Sequence, residues 1–269
     1  MHPKLKKKYQ DFLNKIADQL SHKINIPVDV NKLCAQFNVI VVRSNIVQRN
    51  KEAILLTENI PAEIHLPLRK EKELTYTPYE RLKIIHELGH LLLRRKYTTL
   101  PLGPSEYWQH EDLCNFFARK VLLPEEFIKV KMINAKDTPD QRLALTNFLS
   151  EKAFITWPTA AYRVSDLDRQ FAFFEIKINK HTDNSEGPSF HFSIIVSTLP
   201  NKKMIFTKFY ADNKIGQILI HAPEKKIILL DDTVFESPDV VKKFPSFFKV
   251  KEGAIYSEPP NKFRMAVRL

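Results

Sequence analysis

Between Tyr79 and Arg95 the chain reads YERLKIIHELGHLLLRR. Three of these residues can do chemistry together: His86, Glu87 and His90, in the order His-Glu-x-x-His. Leu82, Ile84, Ile85, Leu88, Leu91, Leu92 and Leu93 surround them with no intervening proline, which predicts a buried helix with charges at both ends. On a helix, positions i and i+4 lie one above the other, so both imidazoles can grip one zinc ion. Glu87 sits about 100° round the helix, where it can take a proton from water at the metal. Core histidines packed by leucines are the alternative, but they would put three polar groups at high cost into an apolar helix.

A catalytic zinc needs a third protein ligand and an open position for water. Glu111 is the candidate, on a different predicted helix, and that orientation puts Cys114, Asn115 and Ala118 on nearly the same face. Ala118 is small enough to let the two helices approach closely. His110 is the rival ligand, pointing about 100° away from that face. Peptide hydrolysis at such a centre also calls for a donor to the developing oxyanion. Tyr97, Tyr107, His110 and Tyr162 are the available side chains, and the spacing does not choose among them.

The surrounding elements must position these groups. Residues 3–22 predict an amphipathic helix, with Leu5, Tyr9, Phe12, Leu13, Ile16 and Leu20 as its apolar stripe. A second helix is expected over 28–37, with Asp29 as N-cap, and a short strand over 38–42. Residues 53–66 read as a hairpin around Asn59-Ile60-Pro61. Its second arm, Glu63-Ile64-His65-Leu66, alternates polar and apolar residues and resembles the strand that zinc peptidases of this general build place at a sheet edge beside the cleft, where an extended peptide could pair with it. Prolines and Gly103 mark a loop after Arg95. The Glu111 helix follows, then another opened by Pro124.

Residues 136–168 hold two more candidate helices, 141–152 and 158–167, which fit either a helix-turn-helix or a plain helical appendage. From residue 170 the pattern changes to strands, at 171–178, 189–196, 203–210, 215–221, 226–230 and 264–269, with a loop over 182–188 and a short helix at 237–243. The expected fold class is therefore α+β. Its expected domains are a metallopeptidase domain over 1–135, a helical segment over 136–168 and a β-rich domain over 169–269.

The chain of 269 residues has two cysteines, too few for a disulfide framework. Its N-terminus is basic and then amphipathic, without the apolar run of a signal peptide. No apolar run reaches membrane-spanning length, so a cytoplasmic protein with no membrane partner is expected. The net charge of +11 is spread along the chain and suits either contact with polyanions or a solvated lysine-rich surface.

The segment ELGHLLL, followed by Glu111-x-x-Cys114-Asn115-x-Phe117-Ala118-x-x-Val121-Leu122-x-Pro124, resembles the ImmA/IrrE family of metallopeptidases, whose usual pattern is Glu-x-x-Ala-Asn-x-Phe-Ala-x-x-Leu-Leu-x-Pro. Upstream, Pro27-Val28-Asp29-Val30 with Leu33, then Val39-Ile40-Val41, is similar to that family's opening helix and strand. The resemblance covers about residues 10–168. It implies a minimal gluzincin-like fold with zinc held by His86, His90 and Glu111. It also implies a substrate class: helix-turn-helix transcriptional repressors, cut once to release DNA-damage, mobile-element or phage-defence genes. IrrE-type members carry a GAF-like sensor domain at the C-terminus; the β-rich domain here has fewer helix signals than that fold, and either a GAF-like sensor or a docking domain is expected there.

Cys114 stands where the family usually has alanine. Members of the CapP type, linked to anti-phage operons, are similar in placing a cysteine near the metal. A thiolate there could occupy the water position as an inhibitory or redox-released ligand; a small, inert, buried cysteine is the alternative. In the β-rich domain, lysine pairs (202–203, 225–226, 242–243) stand close to Phe206, Phe209, Tyr210, Phe244, Phe247 and Phe248. Cations beside aromatics suit single-stranded DNA as an activating signal. From another class, the same features fit a DNA-binding regulator whose metal site is only structural.

Overall fold

The computed structural model describes residues 3–21, 25–47, 53–69, 75–98, 103–133, 137–183, 187–198, 208–210, 227–230, 252–258 and 262–268. Its architecture is α+β, and the chain divides into two compact units. One comprises Met1–Lys129 and Leu149–Ala160, the other Val130–Phe148 and Ala161–Leu269.

In the first unit, α1 (Pro3–Ser21) carries Tyr9, Leu13, Ala17 and Leu20 at helical spacing, and all four are buried. α2 (Val30–Gln36) starts at Asp29, whose side chain accepts from the Lys32 N–H at 3.0 Å. β1 (Val39–Ser44), β2 (Ile54–Leu56) and β3 (Ala62–Pro67) form a three-stranded sheet in the order β1-β3-β2. β2 and β3 are the expected antiparallel hairpin, and β1 runs parallel to β3. The Glu63–Leu66 arm is therefore the central strand and not the edge. Pairing on both sides lets Ala62, Ile64 and Leu66 be fully buried, and β2 takes the edge instead.

α3 (Pro78–Tyr97) begins with a capping box. Thr77 Oγ1 accepts from the Glu80 N–H, and the Glu80 carboxylate accepts from the Thr77 N–H at 2.9 Å. Glu80 also receives Arg43 at 2.9 Å and Arg69 at 2.8 Å, tying the first turn of α3 to β1. Ile84, Ile85, Leu88, Leu91, Leu92 and Leu93 are buried, as the run of apolar residues requires. α4 (Pro104–Leu122) buries Leu113, Phe117, Ala118, Val121 and Leu122 and packs along α3; α5 (Glu125–Met132) follows. No helix among the described residues is long and apolar enough to cross a membrane.

α6 (Pro139–Ala153) and α7 (Trp157–Leu167) are separated by three residues, one of which, Phe154, has φ of 50°. In the second unit, α6 and α7 residues accompany a six-stranded antiparallel sheet of order β6-β5-β4-β9-β8-β7. Its strands are β4 (Phe171–Asp183), β5 (Gly187–Ser197), β6 (Lys208–Tyr210), β7 (Ile227–Leu230), β8 (Glu252–Glu258) and β9 (Lys262–Arg268). Consecutive residues Phe171, Ala172, Phe173 and Phe174 are all buried, so β4 is covered on both faces at that end. Arg142 of α6 donates to Asp168 at 2.9 Å, and Arg264 of β9 donates to Asn147 at 2.9 Å.

The ladder between β4 and β5 continues to the pair Asp183 and Gly187, so the connecting loop is shorter than the expected 182–188. β8 was not anticipated from the sequence: Gly253 and Ala254 weaken its strand signal, and its ladders with β7 and β9 on either side supply the stability instead. The expected strand at 215–221, the helix at 237–243 and the lysine pairs at 202–203, 225–226 and 242–243 lie outside the described residues.

Candidate metal centre

His86 and His90 project from one face of α3, with their Nε2 atoms 3.1 Å apart. α4 brings Glu111 against both: Oε2 lies 3.1 Å from His86 Nε2, and Oε1 lies 3.1 Å from His90 Nε2. These ligand atoms all fall within 4.8 Å of one another. His86 is buried, and His90 and Glu111 are half-buried.

The close approach of α3 to α4 has a local cause. A Cβ on Gly89 would stand 3.1 Å from the Phe117 ring, 3.3 Å from Cys114 Sγ and 3.4 Å from Cys114 Cα. Gly89 therefore lets α4 lie close enough for Glu111 to reach both imidazoles. Ala118 is fully buried in the same unit.

Asn115, one turn beyond Glu111, completes the arrangement. Its Oδ1 lies 2.9 Å from His86 Nδ1. An amide oxygen can only accept, so Nδ1 carries the proton and Nε2 is left with a lone pair aimed at the triad. One lone pair already fixed, a second imidazole and a carboxylate converging on one point make a donor set that suits zinc. A hydrogen bond behind a ligating histidine is the usual way such a set is held in orientation. Sequence reasoning had put Asn115 on this face without giving it a role, and had missed Gly89. The i, i+4 spacing from Glu111 to Asn115 was the available signal for the first.

Glu87 is half-buried beside the triad. Burial pushes its carboxyl up to about 7; the charge of His90 pulls the other way and that of Glu111 adds to the rise. Glu111 behaves oppositely. Burial would raise its carboxyl, but the His86 and His90 rings set against it outweigh burial and hold the group well below the usual carboxylate range.

The other residues singled out from the sequence stand elsewhere. Cys114 is fully buried, its sulfur is turned under Gly89, and burial holds its thiol well above the ordinary value. Among the described residues it does not join the cluster of ligand atoms, and its sulfur faces Gly89 at the helix crossing. His110 is buried with its ring edge-on to Tyr9 of α1, centroids 5.2 Å apart. Tyr97 packs on Tyr9 at 4.6 Å and on Phe12 at 5.5 Å. Tyr162 belongs to the second unit. Tyr107 is exposed and lies one turn before Glu111, on the same face of α4.

No family model matches this chain, and no curated protein matches it. Among solved structures the chain is similar to a transcriptional regulator of Mycobacterium tuberculosis, with 14% sequence identity and a TM-score of 0.53. The match covers 97% of this chain and 80% of that chain. At that identity the likeness concerns the fold alone.

Proposed function

We propose that this chain is a zinc-dependent endopeptidase of gluzincin-like build, and that it cuts a helix-turn-helix transcriptional repressor to release stress, DNA-damage or phage-defence genes. The observation that carries this reading is the convergence of His86, His90 and Glu111 at 3.1 Å, with Glu87 next to the first ligand on the same helix. A purely structural metal site has no need of a half-buried carboxyl at that position. The repressor substrate rests on the resemblance to the ImmA/IrrE family, as does a GAF-like sensing role for the β-rich unit.

His86, His90 and Glu111 would hold the metal. Bound zinc supplies Lewis acidity, lowering the pKa of a water to about 7 and polarising the scissile carbonyl. Glu87 accepts the proton of the attacking water and delivers it to the leaving amine nitrogen, a role suited to a group poised near neutral pH. Asn115 keeps His86 in the tautomer that presents Nε2. Tyr107 is the side chain among the four considered whose place on α4 suits a donor to the oxyanion.

The deciding experiment incubates the zinc-loaded protein with a helix-turn-helix repressor encoded beside it. A single cut, lost in Glu87→Gln while zinc is retained, supports the reading. An intact repressor in the presence of stoichiometric zinc removes it. A second reading, a DNA-binding regulator with a structural metal, is compatible with the transcriptional regulator among the similar folds. It expects specific duplex binding that Glu87→Gln leaves unchanged.

A further inference from the structure

On the sheet of the first unit, three polar side chains form a hydrogen-bonded relay. Ser44 Oγ lies 2.8 Å from His65 Nδ1, and His65 Nε2 lies 2.7 Å from Glu63 Oε2. Ser44 ends β1, and Glu63 and His65 are two residues apart on β3, hence on one face. That face is turned away from α3. Arg43, the neighbour of Ser44, points to the opposite side, where it meets Glu80 of α3, and Ile64 and Leu66 are buried on that side too. The relay is therefore separate from the metal centre.

Its chemistry follows from donor and acceptor roles. A carboxylate only accepts, so the neutral imidazole donates its Nε2–H to Glu63 and leaves a lone pair on Nδ1. Ser44 must then donate its hydroxyl hydrogen to His65. A hydroxyl bonded to a base, which is itself oriented by a carboxylate, is the arrangement that activates a serine nucleophile. The serine stands at the carboxyl ends of two parallel strands, where open α/β sheets commonly place ligands. Arg43 fixes those ends by donating to the Pro67 carbonyl at 3.1 Å. His65 is buried, whereas Ser44 and Glu63 are half-buried and can be reached. The same face carries Ile40, Val42, Ile54 and Leu56, half-buried or exposed apolar residues at the paired positions.

We propose that Ser44 is a nucleophile activated by His65 and Glu63, and that this face accepts esters with an apolar acyl group. The Ser44 proton passes to His65 Nδ1 as Oγ bonds to the acyl carbon. The ester C–O bond breaks, and the alcohol leaves with the proton from His65. Water, deprotonated by the same nitrogen, then releases the acid and restores the hydroxyl.

The test uses the full chain with a chelator present, so it does not depend on the metal centre or on the peptidase reading. An alkyl fluorophosphonate is added, and the adduct is located by peptide mass mapping. Phosphonylation at Ser44 is expected, absent in Ser44→Ala and slowed about a hundred-fold in His65→Gln, the scale of a general base. Glu63→Gln, nearly isosteric, should slow it as well, and circular dichroism should show each variant folded. If His65→Gln does not fold, the Glu63→Gln rate decides. No adduct on the native chain, an adduct only at other residues, or a Ser44 rate unchanged in the folded variants would overturn the proposal.

Discussion

At the residue scale the metal centre makes separable demands. Replacing His86, His90 or Glu111 by alanine removes one of three ligands, and each variant should lose stoichiometric zinc on dialysis, measured by metal analysis. Glu87→Gln should keep it. Asn115→Ala leaves all three ligands but frees the His86 ring to turn, because its Nδ1–H loses the 2.9 Å acceptor. Zinc affinity should fall roughly ten- to a hundred-fold in a competition titration with a chromophoric chelator. Wild-type affinity in that variant would show that packing alone orients the ring. Cys114 leads to the opposite expectation. With its sulfur buried under Gly89 and its thiol pushed up by burial, it should react with iodoacetamide only on unfolding. Fast alkylation of the native chain at neutral pH would favour the sulfur-ligand reading instead.

At the element scale, α3 depends on its first turn and on its crossing with α4. Thr77→Ala removes the N-cap acceptor and should cost about 1 kcal/mol in denaturant unfolding. Glu80 adds a dependence on pH. Burial raises its carboxyl, but Arg43, the Thr77 N–H and Arg69 together bring it below the ordinary value. A carboxyl depressed in the folded state contributes its full stability above its unfolded pKa. That contribution is lost as pH falls through the folded value. Glu80→Gln should therefore be less stable than the native chain at neutral pH, with the gap closing in acid; a gap constant with pH would exclude this role. The crossing tolerates even less. Gly89→Val would push two methyls toward Phe117 and Cys114, with an expected cost of about 1–3 kcal/mol. Zinc affinity should fall along with the melting temperature, because Glu111 would be carried away from the imidazoles.

At the scale of the whole molecule, the boundary between the units runs through α6 and α7 rather than beside them. Residues 137–148 carry partners for the sheet: Asn147 accepts from Arg264, and the Asp137 carbonyl accepts from Arg268. A chain ending at residue 168 would strip those partners. It should still bind zinc, since the triad lies within Met1–Lys129, but melt at lower temperature and aggregate on concentration. Single-stranded DNA, if it is the activating signal, should bind the full chain with an affinity that drops steeply with salt, and should speed repressor cleavage. Cleavage that stays flat with oligonucleotide at low and moderate salt would leave the β-rich unit as a docking platform.

The sequence by itself determined the groups whose meaning is local. His86, Glu87 and His90 share one helix, so a spacing of four residues is enough to set both imidazoles on one face with Glu87 beside them. The Asp29 cap and the β2–β3 hairpin were legible for the same reason, because turn and cap chemistry acts over three or four residues. Glu111 was legible only as a candidate, since no local rule says how two helices meet. Only the tertiary structure decided that meeting: Gly89 opens the crossing, Cys114 fills it, and Asn115 is left to hold His86. It also decided that β3 is central, because β1 pairs with it across a gap in sequence that hydrophobic pattern does not encode. The Ser44–His65–Glu63 relay belongs to the same class. Its serine and histidine are 21 residues apart and become neighbours only through that parallel register.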